Sequence, residues 1–421
     1  MVVRVRNRGL VSGTLAFFAG FAAVALFGTT ALRIGPLLHL NLVEVSWLVA
    51  IPTLTGAFLR IPFSLLVDNL GRKTILLQLL LGLLGLLGII FTLMHLNSLS
   101  SQLIYYLLLL FGALAGTGIS TFSSGVTYVS YFFPQKEQGK ALGIFAGLGN
   151  TAPGIFTTLL PFALSYLGLV YSYVAWALFL SIMILIYILV SIDPPFLHFL
   201  KEGKTRKDAE ALSKSMGLDI VPSHSLSRSL VKALRSPRIW ALVFMYLTSF
   251  GGFEALTEWL PLYWKSFLHL TPVEAGILTG TIYSLLTAVV RIPGGWISDR
   301  INGELVSTIA YLTMIVGSLV FLFAFSLSLA VVAEIIIAVG MGMANGAVFK
   351  LVPRYSPTAV SGASGLVGGL GSAGGLLLPP IMGYVATLLN FPASFLVFTI
   401  LAIISLVLSV LLLRASEAMR A

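Results

Sequence analysis

Twelve long apolar runs recur along this chain, and they limit what it can fold into. About 20 apolar residues span the hydrocarbon core of a bilayer as an α-helix, so each run predicts a transmembrane helix. Charged residues make up 10% of the 421-residue chain, against about 25% in soluble domains. We therefore predict an all-α membrane protein. The runs are residues 10–32, 44–67, 74–95, 103–132, 140–168 and 171–192, then 239–265, 272–297, 304–325, 329–353, 361–388 and 392–414.

A polar stretch, residues 193–238, separates the first six runs from the last six. It is too short to bury a core of its own reliably, which favours a linker with a short amphipathic helix over a regulatory or partner-binding domain. We predict a six-helix bundle at 1–192, this linker, and a second six-helix bundle at 239–421. The halves look related, because GIFAGLGNTAPG in run five parallels GLVGGLGSAGG in run eleven. Parallel repeats of this kind are a transporter design with the substrate site near the midplane.

The basic residues predict an orientation. Most of the 25 lysines and arginines, from Arg4 to Arg420, fall at the two ends, in the polar stretch or in every second loop. The other side keeps only Arg33 and Lys265. By the positive-inside rule, both termini and the linker are cytoplasmic. The formal net charge of +10 therefore reflects topology and does not indicate nucleic-acid binding.

Two arginines lie inside apolar runs, at matching places in the two halves. Arg60 in LRIPFSLLVD and Arg291 in VRIPGGWISD each precede an aspartate by eight residues, which is a depth of about 12 Å at 1.5 Å per residue. A charge this deep costs about 2.5–3.5 kcal/mol. Snorkelling or an ion pair with a glutamate could account for one such residue. The repetition favours a pair that converges on a central cavity.

Such a pair predicts the class of substrate. A guanidinium is always charged and presents a planar fork of donors that suits a planar oxyanion. A neutral solute would leave two buried charges unpaired, which is costly, and a cation would find no acceptor on either arginine. We therefore predict that Arg60 and Arg291 bind a small anion.

The glycine-rich parts of runs five and eleven contain two polar side chains. Most of these glycines are expected to permit close helix packing. Asn150 places an amide in such a glycine face, and Ser372 is at the matching point of the other half. We predict that both contact the substrate.

Run seven carries Tyr246, Phe250, Glu254 and Glu258 at every fourth position, so they share one helix face. The aromatic side chains could wall the cavity or simply pack in the core. Acids inside a membrane are candidates for proton relays, so Glu254 is the predicted proton-coupling residue. Glu258 is expected at the membrane interface, and Glu334 in run ten is expected to be structural.

Two short loops carry matching charges, VDNLGRK after run two and SDRING after run eight. We predict that they form a charge latch, a cytoplasmic gate between neighbouring helices, although ordinary interfacial charge is the alternative. The residues concerned are Asp68, Arg72, Asp299 and Arg300.

Several kinds of chemistry lack the residues they need. The chain contains no cysteine, which excludes disulfides, thiolate metal sites and a cysteine nucleophile. The five histidines fall in loops or at helix ends without metal-ligand spacing, and no catalytic arrangement emerges. We expect no metal, no cofactor and no enzyme activity.

Four stretches carry a family resemblance: SWLVAIPTLTGAFLRIPFSLLVDNLGRK, YFFPQKEQGKALGIFAGLGNTAPGIFTTLLP, GMANGAVFKLVP and GASGLVGGLGSAGGLLLP. They resemble the nitrate/nitrite porter branch of the major facilitator superfamily, over nearly the whole chain. The resemblance implies twelve helices in two pseudo-symmetric bundles, with alternating access in a prokaryotic cytoplasmic membrane. It also implies nitrate or nitrite held between the two arginines. The family's other cavity residues correspond to Phe122, Asn150, Tyr246 and Phe250.

The sequence departs from the family pattern at Pro153 and at Glu254, an acid not expected in that cavity. Nitrate/nitrite exchange and proton-coupled nitrate symport therefore both stay open. Cyanate, formate or oxalate is an alternative anion, and a membrane receptor that binds an anion without transporting it is an alternative class. We expect a transporter that works as a monomer in the lipid bilayer.

Overall fold

The computed structural model describes residues 2–218, 226–356 and 360–418, and these ranges contain helices and no strand. Arg420 and the loop residues 357–359 lie outside them. Both described ends lie on one side of the bundle, here named the termini side. We number the membrane-spanning stretches of the structure as segments, and segments one to six correspond to the first six apolar runs. Their helices are Val2–Phe21 with Ala31–Leu38, Leu42–Ala50 with Pro52–Phe58 and Arg60–Leu70, Arg72–Met94, Ser101–Ala115 with Thr121–Ser130, Gln135–Gly149, and Ala152–Val190, which comprises the rest of segment five and all of segment six.

Three short helices follow, at Pro195–Lys201, Arg206–Ser215 and Leu226–Leu234. The proposed linker therefore contains more helix than the single amphipathic helix expected. Segments seven to twelve come next. Their helices are Pro237–Tyr246 with Gly252–Ser266, Pro272–Ile277 with Leu286–Arg300, Gly303–Leu322, Leu327–Tyr355, Val360–Leu388 and Leu396–Ala418.

Within the described residues, ten helical stretches are long and apolar enough to cross a membrane. Two features explain why ten such stretches correspond to twelve segments. The stretch Lys140–Val190 has 51 residues, more than twice what one span needs, and Gly168 with φ 76° divides it into segments five and six. Segment two is interrupted at Ile51 and Leu59, where Pro52 and Pro62 cannot donate backbone hydrogen bonds. The predicted all-α twelve-helix fold is confirmed.

The two halves are in closest contact away from the termini side, on what we name the opposite side. Segment five meets segment eight there: a Cβ added to Gly154 would lie 2.7 Å from the carbonyl oxygen of Gly280. Segment two meets segment eleven in the same way, since a Cβ on Gly375 would lie 2.8 Å from Thr53 Cγ2. Only glycine permits such an approach.

Both contacts loosen towards the termini side. A Cβ on Gly147 would reach Ile292 Cδ1 at 3.5 Å, and one on Gly369 would reach Ile61 Cγ1 at 3.4 Å. One turn further, no described atom comes within 4 Å of the Cβ positions of Gly143 or Gly365. The halves therefore diverge from the opposite side towards the termini side.

Candidate functional site

Arg60 lies between the two halves and is wholly buried. Its Nε donates to the Gly56 carbonyl of its own helix at 3.1 Å. Its Nη1 donates to the Gly368 carbonyl of segment eleven at 2.7 Å, and its Nη2 donates to Glu254 Oε1 of segment seven at 3.0 Å. One guanidinium therefore joins segment two to two helices of the other half.

Glu254 is the counter-ion of Arg60. The ion pair is 3.0 Å long and neither side chain is exposed, while Ser372 donates its hydroxyl hydrogen to Glu254 Oε2. Removing one partner of a buried ion pair costs about 3–5 kcal/mol, because the other charge is left uncompensated. The pair therefore neutralises a charge that the membrane interior would not otherwise accept.

Arg291 reaches the same place from segment eight. Its Nη2 donates to the Tyr246 hydroxyl at 3.3 Å. The rings of Phe122 and Phe250 have their centroids 6.0 Å apart, and both guanidinium groups lie against them. The Arg60 Cζ is 5.3 and 5.2 Å from the two centroids, and the Arg291 Cζ is 5.9 and 5.5 Å from them. Cation–π contacts at these distances stabilise both charges.

A narrow crevice opens beside Arg291, and it contains the unsatisfied polar atoms of the site. Arg291 Nη1, Asn150 Oδ1 and Asn345 Oδ1 are buried without a hydrogen-bond partner in the described part of the chain. Arg291 Nη1 is a donor, so an oxygen of a small oxyanion could satisfy it, whereas the two Oδ1 atoms are acceptors and need a donor such as a hydration water. The crevice is lined by Asn150, Phe250, Phe253, Thr287, Ala288, Arg291 and Asn345.

A family model of the Major Facilitator Superfamily matches residues 13–368 and, in a second match, residues 268–420. The chain belongs to this superfamily. The solved structure of the xylose transporter XylE from E. coli, in a partially occluded inward-open conformation, shares its fold. The two superpose with a TM-score of 0.69 over 98% of this chain and 99% of that one, at 12% sequence identity.

Curated relatives of this superfamily member confirm the resemblance found in its sequence. The "Probable nitrate/nitrite antiporter NarK1" of Thermus thermophilus is 30% identical, over 98% of this chain and 94% of that protein. The "Probable nitrate transporter NarT" of Staphylococcus carnosus is 29% identical, over 93% and 91%. The "Nitrite extrusion protein" of Bacillus subtilis is 26% identical, over 88% and 85%.

The structure of this superfamily member adds a finding at Glu258, which was expected at the membrane interface and lies inside the protein. The side chain is wholly buried, and Thr53 donates its hydroxyl hydrogen to Glu258 Oε1 at 2.7 Å. The physical reason is the contact between segments two, seven and eleven, which covers this turn of segment seven on the opposite side. Glu334 is also wholly buried.

The four charges of the predicted gate lie at the termini side with various partners. Asp68 accepts a hydrogen bond from the Tyr131 hydroxyl, and Asp299 forms an ion pair with Lys350 of segment ten. The two arginines have contacts of their own. Arg72 donates to the Ser191 carbonyl at 2.8 Å and lies 4.0 Å from Asp193, and the Arg300 Cζ is 3.6 Å from the Trp296 ring centroid.

Sequence reasoning missed three residues that the fold brings to the site. Asn345 is an amide in the apolar segment ten, and the criterion that singled out Asn150 would have found it. Thr53 lies two turns before Arg60 on the same helix face, which was a weaker signal. Phe349, whose ring centroid is 6.0 Å from that of Phe122 and 5.3 Å from that of Tyr246, carried none.

Proposed function

We propose that this protein is a secondary active transporter that moves nitrate, nitrite or both across a bacterial cytoplasmic membrane. The names of its relatives support these substrates. The observation that carries the proposal is that Arg60 and Arg291, one from each half, lie against the same two aromatic rings. A planar monoanion suits such a pair, since it would accept from guanidinium donors at its edge while aromatic rings cover its faces.

In this proposal the anion first meets Arg291, which is partly exposed and retains an unpartnered Nη1. Asn150 and Asn345 contribute amide groups at the crevice. Full engagement requires the second arginine, whose Nη2 donates to Glu254. The anion and the Glu254 carboxylate therefore compete for Arg60, and this competition decides the coupling.

We propose that a proton resolves the competition. Protonation of Glu254 removes its negative charge and frees Arg60 for the anion, so that anion and proton cross together without net charge. Nitrate/nitrite exchange is the second candidate, favoured by the name of the Thermus relative. In a nitrate/nitrite exchanger, the charge state of Glu254 would stay the same throughout the transport cycle.

Alternating access follows from the way the halves diverge. The contact at Gly154 and Gly280 closes the opposite side, and the positive-inside rule makes the termini side cytoplasmic, so this conformation opens inwards. We propose rocking of two bundles, residues 1–192 and 239–421, about the arginine pair. The gate charges, including Asp299 with Lys350, would separate or re-form as the termini side opens and closes.

The first test is flux through purified protein in liposomes, with and without internal nitrite. We expect labelled nitrate to enter vesicles that contain unlabelled nitrate, because counterflow requires only that a loaded site reorients. Binding without counterflow would identify a receptor and contradict the proposal. Preferential counterflow of cyanate, formate or oxalate would identify another anion transporter.

The second test changes Glu254 to glutamine and imposes a pH gradient. In a one-to-one symport, one pH unit, acid outside, supports about tenfold nitrate accumulation, since that unit equals about 1.36 kcal/mol per proton. We expect Glu254→Gln to lose this accumulation and to retain counterflow, because glutamine carries no titratable proton. A wild type that ignores the pH gradient but responds to internal nitrite would favour exchange over symport.

A further inference from the structure

We propose that Glu258 is a second proton-binding site, which passes a proton to Glu254 from the opposite side of the membrane. The proposal rests on the proton coupling proposed above and adds a residue to it. The observations that support it are the complete burial of Glu258, its place one turn beyond Glu254, and its unpartnered Oε2.

Glu258 differs from Glu254 in its surroundings. Glu254 has a cationic partner, Arg60, whereas no described residue forms an ion pair with Glu258. Thr53 donates a hydrogen bond to its Oε1, and its Oε2 has no partner in the described ranges. An ionised carboxylate without a counter-ion is costly in an apolar interior. The proton-bound carboxylic acid is therefore the form that this site stabilises.

The two acids occupy one helix face, because residues four apart on a helix are neighbours, with Cβ atoms about 5–6 Å apart. Glu254 is on the side of Arg60 and the anion crevice, and Glu258 is on the side where segments two and eleven are in contact. A proton that travels from the opposite side to Glu254 along this face therefore reaches Glu258 first.

Few other titratable groups lie against the face of segment seven that carries Glu254 and Glu258. Segment eleven (360–388) and the described part of segment five after Lys140 contain no charged residue. The Tyr283 hydroxyl of segment eight faces the Gly252 and Phe253 carbonyls, at 3.3 and 3.5 Å. In segments one and two, Arg33 donates to the Leu164 carbonyl and Glu44 accepts from Asn41 at its own helix start. Glu254, with Arg60 behind it, is the acid next to Glu258.

The transfer balances in protons and charge. The Glu258 carboxyl group passes its proton to the Glu254 carboxylate, which then releases Arg60 to the anion. Glu258 becomes a carboxylate and is protonated again from the opposite compartment while that side is still open, before the halves reorient. One proton therefore crosses with each anion, and Glu258 stores it before Glu254 does.

The experiment compares two fluxes in liposomes that hold a pH-sensitive dye. Nitrate added outside should acidify the lumen of vesicles with the wild-type protein. We expect Glu258→Gln to lose nitrate-driven acidification while labelled nitrate counterflow continues, since exchange needs no net proton movement. Glu258→Asp keeps a carboxyl group and should restore acidification in part.

Glu334→Gln is the matched control, since Glu334 is equally buried but belongs to segment ten, where its neighbour is the indole of Trp264. It should retain both fluxes. Normal acidification in Glu258→Gln would overturn the relay alone, leaving the role of Glu254 intact. Equal loss in Glu334→Gln would also overturn it, by showing that any buried acid matters. A wild type without acidification would overturn the relay together with the symport.

Discussion

Arg60→Lys is expected to lower nitrate uptake at subsaturating nitrate by about 10- to 100-fold, the equivalent of one lost hydrogen bond between charged groups at about 1.5–3 kcal/mol. Arg60 uses three nitrogens in three directions, towards Gly56, Gly368 and Glu254. A lysine ammonium is a single point charge and cannot reproduce that fork. Initial rates of labelled nitrate uptake in liposomes measure the effect.

Arg33→Lys is the control for this substitution. Arg33 donates to the Leu164 carbonyl at 2.9 Å, away from the arginine pair, so uptake should stay near the wild-type rate. A melting curve of each variant separates a lost anion site from a lost fold. Wild-type nitrate affinity in a folded Arg60→Lys protein would contradict the anion site proposed here.

A disulfide between segments five and eight is expected to abolish transport reversibly. The hydroxyl oxygens of Thr158 and Thr281 lie 3.0 Å apart on the opposite side, across the two halves, which brings the two side chains within reach of a disulfide. The chain has no native cysteine, so the double variant Thr158→Cys, Thr281→Cys introduces the only thiols. The bond would hold the opposite side closed, and counterflow would stop because the loaded site could not reorient.

Reduction of the disulfide should restore counterflow, and each single cysteine variant should transport with or without oxidant. Nitrate binding to the oxidised protein should persist, because the termini side stays open. Calorimetry on the oxidised protein tests that point. Undiminished counterflow in the fully cross-linked protein would show that this contact does not open, and the proposed rocking of the halves would be wrong.

Local pattern was enough to predict the helices and to single out the two arginines inside apolar runs. A segment inside a bilayer must satisfy its backbone hydrogen bonds internally, so an apolar run of sufficient length can only be a helix, whatever lies beside it. The arginine in each RIP motif could be recognised from the sequence as well, because a charged residue inside an apolar run is unusual and needs a partner. The interruption of segment two could also be expected from its prolines.

What the sequence could not determine is which side chains meet. Glu254 was singled out for its unusual position, but its pairing with Arg60 joins residues 194 positions apart. Glu258 was expected at the membrane interface, and its burial inside the protein could not be predicted because it depends on how segments two and eleven cover segment seven. Asn345 reached the crevice through the packing of segment ten.

By itself, the sequence determined the all-α membrane class and predicted a cationic site for a small anion, because both follow from residue type and spacing along one chain. Only the tertiary structure decided that Glu254 neutralises Arg60, that Glu258 is buried, and that the opposite side is the closed one. The physical reason is that these features depend on contacts between helices from different halves. Such contacts arise from close packing at glycines and from the need to pair buried charges, and neither leaves a periodic signal in the sequence.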